Sequence, residues 1–177
     1  MIVKVPNCIF CSAPNTTKEH VFSRWTHKYM PRRKKDKTPS VRGVELLDGS
    51  STKIVKMPGD IRDWQIACVC GGFEHTCNAG WMKALEDRTM PILTPLILGK
   101  NIYLTPIQQD VIASWVALKC MVAEYETGFI ATTSEQRARM YSIQKSPESG
   151  WAIWIARGSN PNGIPAWSSA ALKITEN

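Results

Sequence analysis

The spacing of the cysteines constrains this chain more than any other feature. Cys8-Ile9-Phe10-Cys11 is a Cys-x-x-Cys knuckle, which presents two thiolates from one tight turn. A tetrahedral ion needs two more ligands, and Cys68, Cys70 and Cys77 are the candidates. Cys70 and Cys77 are favoured, because Gly71 and Gly72 let the loop between them fold back on the ion. Cys68 and His75 stand as alternatives to Cys70. A closed site of this kind is structural zinc, whose binding energy is folding energy. Cys120 lies in an apolar helical pattern and reads as a small core residue.

A chain of 177 residues with 44% apolar residues and seven tryptophans can bury one substantial core. The longest apolar stretch, Met90 to Leu98, is broken by prolines and too short to cross a bilayer, and no leader peptide is read. The expectation is a soluble, cytoplasmic protein with no membrane partner, in which clustered cysteines are metal ligands rather than disulfides. The net charge of +7 is local: residues 1–40 hold nine Lys and Arg against Glu19 and Asp36, and the rest of the chain is balanced. Arg24, Lys28, Arg32, Arg33, Lys34 and Lys35 therefore form a candidate polyphosphate-binding face, joined by Lys83. A solvated surface loop is the plainer reading of such a run.

Periodicity gives an α+β chain in two parts, residues 1–95 and 96–177. Strands are expected at 2–6 and 64–69, and a hairpin over 41–57 around Asp48-Gly49-Ser50-Ser51. A short helix or strand end should turn Val21, Phe22 and Trp25 inward. A helix should start near Cys77 or Asn78, capped by Thr76 or Asn78, and be limited by Pro91. Thr105, Pro106 and Gln108 spell a capping box for a helix over 105–126. Its apolar positions are Val111, Trp115, Leu118 and Val122, and Gly128 is its stop. A further helix over 134–145 and strands at 151–157 and 170–174 complete the C-terminal region, where no catalytic residue is expected.

The chemistry centres on Glu19-His20. Phosphodiester hydrolysis needs an activated water, a cation on the phosphate and help for the leaving oxygen. His20 has a reference pKa suited to a general base. Glu19 and Asn78 offer hard oxygen ligands for Mg²⁺ or Mn²⁺. His27 reads as a surface or phosphate-contacting residue, and Arg88 as a second phosphate contact on the helix.

Taken together, Cys8-x-x-Cys11, Thr17-Lys18-Glu19-His20-Val21-Phe22 and Cys77-Asn78-x-Gly80-Trp81-Met82-x-x-Leu85-Glu86 resemble the HNH, or His-Me finger, endonucleases. The likeness is to a zinc-containing branch found in bacteria and phages, and it covers residues 8–88. It implies a zinc-stapled ββα-metal core with the basic loop and hairpin inserted, and a C-terminal helical and strand region packed on it. It implies His20 as general base, Glu19 and Asn78 on one divalent cation, and DNA or another nucleic acid as substrate. Three departures stand out: a long gap from His20 to Asn78, a stretched second knuckle, and no clear middle Asn, for which Asp63 is a weak stand-in. The alternative is a catalytically degenerate zinc-stapled factor that binds nucleic acid or protein in a phage or host-defence setting.

Overall fold

A computed structural model of the chain describes residues 5–30, 40–42, 55–57, 60–71, 76–127, 130–145 and 151–155. The basic run Arg32, Arg33, Lys34 and Lys35, His75, the Asp48–Ser51 turn, Gly128 and the expected strand at 170–174 lie outside these residues.

The described chain is α+β. Strand β1 (Thr16–His20) pairs antiparallel with β4 (Gln65–Cys70) in a two-stranded sheet. Between them, β2 (Ser40–Arg42) and β3 (Val55–Met57) pair antiparallel as the two legs expected of the hairpin. The expected strand at 64–69 is thus β4, and a 3₁₀ turn over Arg24–Tyr29 occupies the segment after His20, with Val21 buried and Phe22 and Trp25 half-buried. Val5 and Pro6 carry no strand, and only an isolated bridge joins Asn7 to Pro14.

The β1–β4 register is irregular in one place. Thr17 pairs with Val69 and Lys18 with Ala67, so Cys68 is skipped as a bulge. Its carbonyl instead accepts from Ile9 N–H at 3.0 Å, which ties the N-terminal knuckle to the sheet. Gly71 follows β4 because the backbone there passes against Thr17, where any Cβ would collide with the Thr17 side chain.

A π-type turn over Asn78–Met82, kinked at Gly80, leads into helix α1 (Lys83–Ile97). Its start accords with the sequence: Ala79 N–H reaches Thr76 Oγ1 at 3.4 Å. Its end does not, because α1 runs through both Pro91 and Pro95. Each proline deletes one i→i−4 bond, a cost of about 3 kcal/mol in an isolated helix. Packing against the next helix offsets that loss. The real stop is Gly99, at φ 72°, whose N–H bonds to Leu96 O at 2.9 Å while Lys100 N–H reaches Pro95 O at 2.9 Å. Those two bonds form a Schellman motif, which needs the left-handed conformation glycine adopts freely.

Helix α2 (Pro106–Thr127) and helix α3 (Ser134–Ile143) both start at the capping boxes their sequences contain. Thr105 and Gln108 exchange bonds of 3.0 and 3.3 Å, and Thr133 and Gln136 do the same at 2.9 and 3.2 Å. Residues 151–155, expected in a strand, carry none; Trp151 and Ile153 pack against the core as side chains on irregular backbone.

One core joins both parts of the chain. Ile66, Val69 and Leu85 meet Leu118, Met121 and Val122 of α2 and Met140 of α3. Phe10 of the knuckle packs edge-on against Trp81, with ring centroids 5.3 Å apart. Leu118 is fully buried there. Leu118→Ala should lower the unfolding free energy by about 3 kcal/mol in urea titration. Thr105→Ala, which loses only half a capping box, should lower it by about 1 kcal/mol. Equal effects from the two would show that α2 contributes by propensity rather than by packing.

Candidate functional site

Four sulfurs converge. The knuckle is closed by Cys8 N–H to Ala13 O at 2.7 Å and Ser12 N–H to Cys8 O at 2.9 Å, with Ser12 in the left-handed region at φ 60°. The end of β4 delivers Cys70, and the residue before the π-type turn delivers Cys77. Cys77 N–H donates to Cys70 Sγ at 3.2 Å, and Cys11 Sγ and Cys70 Sγ are 3.5 Å apart. All four ligand atoms lie within 4.8 Å of one another. Zinc–sulfur bonds of ~2.3 Å in a tetrahedron place sulfurs roughly 3.8 Å apart, so a small contraction closes the site. Cys8, Cys70 and Cys77 are buried and Cys11 is half-buried. These cysteines can hold a metal ion such as zinc.

The electrostatics agree with that fit. A hydrogen bond from Cys77 holds the Cys8 thiol down at about 4, well below the ordinary thiol range. The same bond, followed by burial, pushes Cys77 up, and burial pushes Cys70 up. A cation that displaces the thiol protons would satisfy all four sulfurs at once. Cys68 stands apart from the cluster: as the bulge residue it is fully buried, and burial pushes its thiol up to about 12. Cys70, not Cys68, is the β4 cysteine that joins the cluster.

Beside the cluster, β1, the 3₁₀ turn and the start of α1 enclose a cleft of about 530 Å³. Glu19, His20 and Asn78 all line it, although 57 residues separate the last two in sequence. Lys18, Arg24 and Lys83 stand at its edge. Lys83 pairs with Asp87 one turn on, and both are exposed. Lys28 is exposed with its ammonium over the Tyr29 ring, outside the cleft wall, and Arg88 is also exposed and outside it.

His20 is half-buried, and its pKa is lowered first by desolvation, then by His27 and Arg24. Its ring lies 5.6 Å from that of His27. His27 is no simple surface residue: its Nε2 bonds to Phe22 O at 3.0 Å and the ring braces His20. The polar partner of His20 is Gln65, its cross-strand neighbour, with nitrogen to Nε2 at 2.6 Å. Asp63, exposed on a 3₁₀ turn, acts on His20 only as a nearby charge.

The C-terminal region, in which no catalytic residue was expected, supports this wall from behind. Lys119 of α2 is 2% exposed, and its ammonium pairs with Glu19 Oε1 and with Glu86 Oε1, the latter at 2.8 Å. It also donates to His20 O at 3.0 Å. Ser23 Oγ donates to Glu86 Oε1. Burial pushes the Glu19 carboxyl above its ordinary range, and Lys119 pulls it back. Removing one partner from a buried pair of this kind costs about 3–5 kcal/mol. The signal was present in the sequence as a lone lysine inside Ala117-Leu118-Lys119-Cys120-Met121-Val122, since a lysine on a buried helix face must find a carboxylate.

The chain matches no protein-family model, no curated protein and no solved structure. Among the described residues no helix is long and apolar enough to cross a membrane.

Elemental analysis of the purified protein should find one zinc per chain. Cys77→Ser should lose the metal and unfold, whereas Cys68→Ser should retain it. Zinc loss from Cys68→Ser with retention in Cys70→Ser would reverse the ligand assignment.

Proposed function

We propose that this protein is a metal-dependent endonuclease of the HNH type that hydrolyses phosphodiester bonds in DNA. One observation carries the reading: Glu19, His20 and Asn78 line a single cleft next to a four-cysteine cluster. The order of parts supports it. A strand ends on Glu19-His20, its antiparallel partner ends on a cluster cysteine, and a helix preceded by Cys77-Asn78 follows. The ββα-metal core, the structural role of zinc and a bacterial or phage cytoplasmic setting belong to this same proposal.

In this reading His20 takes the proton from the attacking water. Gln65 holds the imidazole in place through the contact of its amide nitrogen with His20 Nε2 at 2.6 Å, in which the amide N–H donates to the ring nitrogen. Gln65 thereby fills the role for which the sequence offered no clear Asn. Glu19 and Asn78 present hard oxygen donors on the same wall and fit Mg²⁺ or Mn²⁺. Such a cation, when bound, supplies Lewis-acid stabilisation of the phosphate oxygens. Lys18, Arg24 and Lys83 at the rim suit the backbone of a nucleic acid. A catalytically degenerate binding factor is the second reading, favoured by the engagement of the Glu19 carboxylate with Lys119.

Plasmid nicking in Mg²⁺, Mn²⁺ and EDTA tests this. Wild type should nick with either ion and not in EDTA. His20→Ala should slow nicking at least about 100-fold while keeping its zinc and fold. Binding of DNA without nicking in any ion would favour the degenerate factor. The pH profile gives a second check. A base must be deprotonated to act, and the His20 pKa lies below the ordinary 6.5, so the rate should rise through a midpoint below 6.5 and level off above it. A midpoint above 7 would exclude His20 in this environment as the titrating base.

A further inference from the structure

Lys119 lies behind the cleft rather than in it. It is not among the cleft-lining residues, yet its three acceptors, Glu19, Glu86 and the His20 carbonyl, all belong to residues that are. Glu19 and His20 come from β1 and Glu86 from α1, so one ammonium on α2 clamps two elements at this wall. Ser23 adds a fourth point through Glu86, from the loop between β1 and the 3₁₀ turn. The ammonium is a compact point charge with three donors, which matches three acceptors at once.

We propose that Lys119 is the positioning residue of this cleft. It holds the Glu19 carboxylate and the His20 backbone in fixed relation, so that the cation ligand and the base keep one geometry. This rests on the nuclease reading, and it adds Lys119, through its contact with Glu86, to the working parts of the site. Lys119 lies behind the residues that line the cleft, so its loss acts on turnover and on cation binding, not on binding of DNA at the rim.

Full-length Lys119→Arg and Lys119→Met, each checked for zinc content and thermal unfolding, test this with Mn²⁺ binding followed by electron paramagnetic resonance and with kcat and KM for plasmid nicking. Arginine keeps the charge but spreads its donors over a planar fork, so it supplies counter-charge without the same placement. Lys119→Arg should keep zinc and keep KM within about twofold while kcat falls roughly tenfold and Mn²⁺ binds more weakly. Lys119→Met should lower kcat roughly 100-fold, as misplacement of reacting groups does. If Lys119→Met does not fold, Lys119→Arg decides alone. Unchanged kcat and Mn²⁺ affinity in Lys119→Arg would overturn the proposal. So would a parallel fall in zinc content, thermal stability, kcat and kcat/KM, which marks a purely structural role. A wild type that holds zinc but neither binds Mn²⁺ nor nicks would fail the nuclease reading itself, an outcome distinct from an active wild type with an equally active Lys119→Arg.

Discussion

The convergence of four sulfurs organises this protein. Cys8 and Cys11 come from a turn near the N-terminus, Cys70 from the end of a strand and Cys77 from the approach to a helix. Two stretches 59 residues apart in sequence must therefore meet at one point. Burying four thiols together is poor use of a core unless a cation joins them, whereas zinc binding to such sets is worth about 10–16 kcal/mol in small metal-folded peptides. Once the point is fixed, the neighbouring geometry follows. The knuckle's Phe10 packs on Trp81, Ile9 N–H closes on the Cys68 carbonyl, and α1 leaves the cluster in a set direction.

A second constraint acts through charge rather than through sulfur. Lys119 enters the interior on α2 and is stabilised by two carboxylates and a carbonyl from the wall of the cleft. Desolvating an ammonium is costly, so the helix docks only where those partners await it. The sulfur cluster takes Cys70 from the end of β4, and the ion network takes Glu19 and His20 from the end of β1. The strand residues Glu19 and His20 are held by both the sheet and the helix behind it. The wall of the cleft is thus tied both to the sheet and to α2.

Helix α1 shows how local rules lose to context. Pro91 is a sound helix stop in isolation, and Gly99 is an equally sound one. The chain uses the glycine, because burial of Leu85 and Thr89 and packing on α2 outweigh the bonds lost at two prolines. The segment 151–155 is the converse. Its alternating apolar residues suggested a strand, but a strand needs a neighbour to bond with, and here Trp151 and Ile153 are held by side-chain packing alone. Where an expectation rested on a self-contained device, such as the capping box at Thr105 and Gln108, it matches the structure residue for residue.

What the sequence determined by itself was therefore chemical and local: the cysteine set, the Glu19-His20 pair, the Asn78 position, the caps and the apolar helix faces. Each depends on residue type and short spacing, which are visible in a linear chain. Tertiary structure decided which of Cys68 and Cys70 joins the cluster, because the positions of the other three sulfurs are set by how distant segments pack. It also decided which residues support the cleft. Gln65 reaches His20 through strand register, and Lys119 reaches Glu19 across 100 residues of sequence. Neither pairing has a local signature, because a hydrogen bond between distant segments is set by how the elements pack and not by either segment alone.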